Sequence, residues 1–291
     1  MANEKEASKE AHSRGYHGGS VETVISVDDV QRQAEEMMTS ALTVEELDAL
    51  VEGKTFVSID GLNAGYGKMQ ILHNLNLRVG SGQSLCLIGP NGAGKSTILH
   101  SIFGFTNIYA GSITVNGKDV TRLSSNQKLK NAGIAYILQD KSVFPGMTVE
   151  ENLIMGGYLM DTQAEAKAAA DKIFAKYSRL ADRRNHAAGV LSGGERRLLE
   201  ISRALVMEPD VLLVDEPSIG LEPRFIDMVF DILDDLQHNE GKTIIMVEQN
   251  AKRGLEFADV GYVLVSGIVA IAGKGHDLLE NPDVGRLFLG G

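Results

Sequence analysis

Nine consecutive residues, Gly89-Pro90-Asn91-Gly92-Ala93-Gly94-Lys95-Ser96-Thr97, carry the strongest chemical signal in the chain. They fit the pattern G-x-x-x-x-G-K-[ST] and lie between an apolar run and a helical segment, the setting in which such a loop binds phosphate. Glycines allow positive φ and close backbone approach to an anion. Successive N–H groups with a helix start behind them form a cradle for it. Lys95 would set a point charge on the β- and γ-phosphates of a nucleotide, and the Ser96 hydroxyl would coordinate Mg²⁺. The implied ligands are ATP and Mg²⁺.

A second element is Val211-Leu212-Leu213-Val214-Asp215-Glu216, four apolar residues ending in two acids. Such a run places both carboxylates at the C-terminal edge of a buried strand, where α/β sheets bind ligands. Asp215 would hold the metal through water, and Glu216 would polarise an attacking water as general base. Taken alone, the pair reads equally as a solvated strand end. A third element, Leu191-Ser192-Gly193-Gly194-Glu195-Arg196-Arg197, precedes it. Ser192, Gly193 and Gly194 at a helix start offer free N–H groups and a hydroxyl to an anion. A second cradle in a chain that already has one makes sense if it serves the ATP of another copy. Read by itself, it is equally an ordinary capped helix.

Together these motifs resemble the ABC ATPases, whose signature is LSGGQ; Glu195 stands here in place of Gln. The resemblance covers about residues 54–291. It implies an α/β P-loop NTPase of the ABC ATPase type, a mixed sheet core with an antiparallel β subdomain and a helical subdomain at about 148–192. It implies two subunits sandwiching two ATPs, each between one P-loop and the opposite signature, as a homodimer or with a related chain. It also gives Tyr66 as the aromatic that stacks on adenine, and Gln139 as the glutamine that contacts Mg²⁺ and the lytic water. Ser218-Ile219-Gly220-Leu221-Glu222-Pro223 takes the next loop, with Glu222 where Asp is usual. The position after strand Thr243–Val247 usually carries a His contacting the γ-phosphate; Gln249 stands there, and a Gln donates a hydrogen bond but cannot become cationic. The run Val247-Glu248-Gln249-Asn250-Ala251, the opening Leu62–Gly67 and the ending Leu278–Leu289 are similar to the second ATPase subunit of branched-chain amino-acid importers. Glu195-Arg196-Arg197 is also seen in lipopolysaccharide-export ATPases. An importer powering separate permease subunits, with a solute-binding protein, is the leading expectation; an exporter ATPase and a regulatory ABC protein are the alternatives.

The elements that must position these residues read as follows. Phe56–Asp60 and Ile71–Val79 alternate like strands around the turn Gly65-Tyr66-Gly67. Ser84–Gly89 is a continuous apolar run, as for a strand buried on both faces, and Lys95–Phe103 is helical. Further strands are expected at Ser112–Val115, Ile134–Leu138, Val211–Val214, Thr243–Val247 and Val260–Val265, with helix from Thr148 to about Leu180.

Composition sets the limits. No stretch of the 291 residues approaches the roughly 20 apolar residues of a membrane span, and MANEKEASKE has no secretory apolar core. Any membrane connection, expected at the cytoplasmic face of the cell membrane, must then run through partner subunits. The formal net charge of −11 argues against nucleic acid as a partner. Residues 1–53 hold 12 acidic against 4 basic residues, and the remainder 27 against 24, so the acidity belongs mainly to the tail. Cys86 is expected in the core. The extension 1–53 is expected to be disordered to about residue 24 and then partly helical. Thr43 would cap a helix beginning Val44-Glu45-Glu46. This piece could pack on the body or a partner, or extend freely.

Overall fold

The computed structural model describes residues 42–139 and 142–289, so the expectations for residues 1–41 lie outside the described residues. Helix α1 (Val44–Asp48) is followed by β1 (Thr55–Tyr66), β2 (Met69–Gly80), β3 (Ser84–Ile88), α2 (Lys95–Phe103), β4 (Asn107–Val115) and β5 (Lys118–Asp119). Next come α3 (Ser125–Ala132), β6 (Ile134–Ile137), α4 (Val149–Gly156), α5 (Gln163–Lys176), α6 (Ser178–Ala181) and α7 (Gly193–Leu205). The chain continues through β7 (Val211–Asp215), α8 (Pro223–His238), β8 (Thr243–Val247), α9 (Ala251–Phe257), β9 (Val260–Val265), β10 (Ile268–Lys274), α10 (Gly275–Glu280) and α11 (Pro282–Phe288).

Two sheets result. One is antiparallel, in the order β2-β1-β4-β5. The other runs β10-β9-β3-β8-β7-β6; its strands are parallel except for β10, which closes one edge antiparallel to β9. The apolar runs explain the second sheet, since every residue of β3, β7 and β8 is buried. Their side chains alternate between two cores. Cys86, Ile88, Leu212, Val214, Ile244 and Met246 face the helices of the central and C-terminal chain. Leu85, Leu87, Leu213, Ile245 and Val247 face α2 and the antiparallel sheet. The helical segment expected from Thr148 is α4 to α6, and α4 starts in a capping box made by Thr148 and Glu151.

Two expectations shift at their edges. Strand β1 runs on to Tyr66 through register shifts at Ile59/Leu62 and beyond, and the turn is left to Gly67-Lys68. Strand β6 ends at Ile137, so Leu138 leaves the sheet and is exposed. The tail boundary also moves. Thr43 caps α1 in a reciprocal box with Glu46, and Leu47 is 1% exposed within the core beside β1 and β2. The buried Arg78 guanidinium donates to Asp48 at 3.0 Å, and Gln83 donates its amide to the Leu50 carbonyl at 3.3 Å. Packing of the body therefore includes Leu42–Leu50 rather than starting at residue 54, because the apolar face of α1 closes one end of the core. No described helix is long and apolar enough to cross a membrane.

Candidate functional site

Strand β3 ends at Ile88, and the chain turns at once through Gly89. A Cβ on Gly89 would lie 2.2 Å from the Leu264 carbonyl oxygen, at φ +144°. Only glycine lets the loop pass β9 so closely. Gly267, in the turn between β9 and β10, donates its N–H to the Ala93 carbonyl at 2.9 Å. The loop is thus braced from β9 and β10, elements more than 160 residues away in sequence. Gly92, at φ +82°, has open space where a Cβ would stand, and Gly94 at φ +101° precedes the first residue of α2. Pro90 and Asn91 lie on the rim, Ala93 and Thr97 are buried, and Ser96 is half-buried.

Lys95 is 8% exposed, and its ammonium donates to the carbonyls of Gly89 (2.7 Å) and Pro90 (3.0 Å). Burial pulls its pKa down, while the Glu216 and Asp215 carboxylates push it back up. Ser96 donates its hydroxyl to Asp215 Oδ1 at 3.2 Å, and Tyr136 donates its phenol to Oδ2 at 2.8 Å. A hydroxyl and a carboxylate are the hard oxygen donors that Mg²⁺ takes from protein when phosphate and water supply the rest. Among the described residues no group of three or more His, Cys, Asp or Glu could hold a metal by itself.

Glu216 follows the last residue of β7 in a left-handed conformation, φ +44°. That conformation costs a non-glycine residue about 1–2 kcal/mol, and here its N–H donates to the Val247 carbonyl at 2.8 Å. Gln139 Nε2 donates to Glu216 Oε2 at 2.8 Å, so two residues 77 apart in sequence meet at the sheet edge. Burial raises the Glu216 pKa, Asp215 and Glu248 raise it further, and Lys95 opposes them. A carboxylate of raised pKa is a stronger proton acceptor than a free one, the property a general base needs.

Tyr66 is exposed at the end of β1, and its hydroxyl meets His100 Nδ1 at 2.5 Å. His100 is edge-on to Tyr136 at 5.7 Å between ring centroids, so an aromatic series links Tyr66 to the Asp215 partner. Gln249 is exposed after β8. Its neighbour Glu248 is 2% exposed and accepts from the Ser218 hydroxyl (2.7 Å) and the Asn250 N–H (3.0 Å).

Ser192, Gly193 and Gly194 stand apart from this group. Ser192 caps α7, accepts from the Glu195 N–H at 3.3 Å and donates its own N–H to Glu195 Oε2 at 2.9 Å. Arg183 reaches Glu195 Oε1 at 3.2 Å. A cleft of about 400 Å³ opens here between Arg179, Arg183, Ser192, Glu195, Phe225 and Met228, and no P-loop residue lines it. A Cβ on Gly194 would strike the Phe225 ring at 2.2 Å. The P-loop, Asp215, Glu216 and Gln139 are therefore brought together, while the Ser192 cradle is presented outward.

Sequence reasoning missed Tyr136, Glu248 and Arg197. Glu248 lies inside the quoted run before Ala251, yet nothing local marks it as the residue that holds Ser218. Arg197 follows the signature on α7 and is 4% exposed.

Residues 72–219 match the family described as ABC transporter. The branched-chain amino-acid transport ATP-binding protein BraG of Pseudomonas aeruginosa is 41% identical over 235 residues, 81% of this chain and all of that one. LivF of Archaeoglobus fulgidus, described as a probable branched-chain amino-acid transport ATP-binding protein, is 40% identical over 79% of this chain and 96% of its own length. The solved structure of a nucleotide-free ATP-binding cassette from an ABC transporter superposes with a TM-score of 0.72 at 26% identity, over 81% of this chain and 99% of that one. With this two-sheet fold, P-loop and signature helix, the chain belongs to the ABC transporter family of ATP-hydrolysing subunits, which dimerise and work with separate permease subunits.

Proposed function

We propose that this chain powers an importer of branched-chain or related amino acids, acting at the cytoplasmic face of the cell membrane with permease subunits and a solute-binding protein. The similarity to BraG over the whole of that protein carries the substrate class; the lipopolysaccharide-export ATP-binding protein of Haemophilus influenzae is a more distant 29% identical. The meeting of Gln139 and Glu216 beside Asp215 and Ser96 supports the chemistry.

In this reading the Tyr66 ring stacks on adenine. The N–H groups of Gly89–Thr97 wrap the phosphates, and Lys95 leaves its carbonyl partners to meet the β- and γ-phosphates. Ser96 and Asp215, with Gln139, would hold Mg²⁺, which supplies charge neutralisation at the phosphate oxygens. Glu216 orients the attacking water and takes its proton, and Gln139 fixes the carboxylate that does so. Gln249 offers an amide N–H to the γ-phosphate. Ser192, Gly193 and Gly194 close on the ATP held by a second copy or a related chain. Catalysis is then positioning and charge stabilisation.

The test is uptake. Cells lacking the gene should lose ATP-dependent uptake of labelled leucine, isoleucine and valine, and lipid vesicles holding the purified complex should recover it. Unchanged uptake of all three in the deletion strain overturns the substrate assignment.

A further inference from the structure

Arg197 sits one turn into α7 and is almost fully buried. Its Nη1 donates to two acceptors, the Leu138 carbonyl and Glu200 Oε2, both at 2.9 Å. Its Nε and Nη2 find no partner among the described residues. A guanidinium carries five N–H donors, and leaving some of them buried and unpaired is destabilising. Nor does the ion pair with Glu200 account for the residue, since buried pairs are commonly replaced by apolar side chains without loss. What an apolar side chain could not supply is the hydrogen bond to Leu138.

That carbonyl has a particular place. Strand β6 has ended one residue earlier, at Ile137, so no ladder holds Leu138. The next residue is Gln139, whose amide donates to Glu216. On the other side, Arg197 lies five residues beyond Ser192, roughly 7 Å along a rigid helix at about 1.5 Å per residue.

We propose that Arg197 is a positioning residue that ties the signature helix to the segment carrying Gln139 and, through it, to the Glu216 carboxylate. When the Ser192 end of α7 is drawn onto a phosphate, Arg197 carries the displacement to the Leu138 carbonyl. Gln139 and Glu216, already in contact at 2.8 Å, are then held in register with the loaded Ser192 end. The N–H groups without a partner among the described residues suit such a joint, because they leave the guanidinium free to change acceptors as the segment moves. This rests on the proposed roles of Glu216, Gln139 and Ser192.

The experiment uses the assembled transporter. The double substitution Arg197→Met with Glu200→Leu removes the joint without leaving an unpaired charge. ATP affinity and melting temperature should change little, and turnover at saturating ATP should fall about 10- to 100-fold, as small misplacements of catalytic groups do. Placed on Gln139→Ala, the same pair of substitutions should cause no further fall. Arg197→Lys, which keeps the charge but trades the fork for one ammonium, should give intermediate turnover and the same lack of added loss; it serves if the double variant does not fold. Normal turnover in the double and Lys variants overturns the proposal, as does an equal fold-loss in the Gln139→Ala background. Should Glu216→Gln by itself keep full turnover, the catalytic reading fails and takes this proposal with it.

Discussion

The two loops proposed to bind phosphate are built on opposite principles. The P-loop is finished from within: Gly89 passes close to β9, the turn after β9 braces Ala93, Lys95 is 8% exposed, and both carboxylates come from the end of β7, two strands away in the same sheet. The Ser192 loop is locally complete as a cap but faces outward, with Ser192 and Gly193 exposed beside an open cleft. Internal bracing lets a loop hold a nucleotide before any partner arrives. An outward cap leaves its last contacts to be made by association.

The strongest way to break this contrast is at the braced site. Glu216→Gln should retain ATP binding while steady-state hydrolysis falls about 10²–10⁴-fold, the usual loss for a general base. Near-normal turnover in that variant would place the chemistry elsewhere.

Next in size is the division between binding and closure. Lys95→Ala should weaken nucleotide binding by single subunits about 10- to 100-fold, since it removes charge-assisted hydrogen bonds. Ser192→Arg should leave that calorimetric affinity almost intact and abolish turnover, because Arg is too bulky for close approach to a phosphate. Mixing the two variants should restore activity above either alone, through a dimer that pairs one intact P-loop with one intact cradle. Normal hydrolysis by Ser192→Arg in the transporter would mean the loops are not shared.

A pH series sharpens the same comparison. Burial raises the Glu216 pKa, so hydrolysis should fall on acidification at a pH above the ordinary carboxylate range. Stability has the opposite sign. A raised folded pKa means that ionisation opposes folding, fully so above that pKa, and this opposition fades as pH falls through it. Glu216→Gln should therefore melt higher than the native chain at neutral pH, with the gap closing in acid. A constant gap would argue against a buried charge at this position.

The smallest expected effect is at the outward loop. Arg183 and Glu195 are partly exposed, and such pairs contribute about 0.2–1 kcal/mol. Arg183→Ala should lower stability by no more than that, and 0.5 M salt should erase most of the difference. A larger, salt-insensitive loss would show the cap to be part of the braced body.

What the sequence made legible follows from how local each signal is. The P-loop, the Asp215-Glu216 strand end and the Thr43 cap are each written in fewer than ten consecutive residues, and each stands where it was read. The buried strands were equally plain, since continuous apolar runs leave few alternatives. Tyr136 was hidden because a tyrosine in an apolar strand reads as packing; only the parallel pairing of β6 with β7 sets its hydroxyl against Asp215. Arg197 was hidden for a similar reason, since a basic residue on a helix usually faces solvent. Strand β10 escaped because Ile268–Lys274 is short, half-exposed and glycine-broken. The docking of α1 needed a tertiary partner, Arg78, that no spacing announces.

Cys86 is the only cysteine of the chain. It lies at the middle of β3, paired with Met246 on one side and Gly261 on the other. Burial holds its thiol protonated far above its ordinary range, and thiol reagents need both access and a thiolate. Alkylation at this sulfur must therefore wait for the central strands to part. The chain carries its own stopwatch: the rate at which excess reagent consumes one thiol counts openings of the core, strand ladder included. A nucleotide that slows the clock is bracing β3 through the loop that follows it.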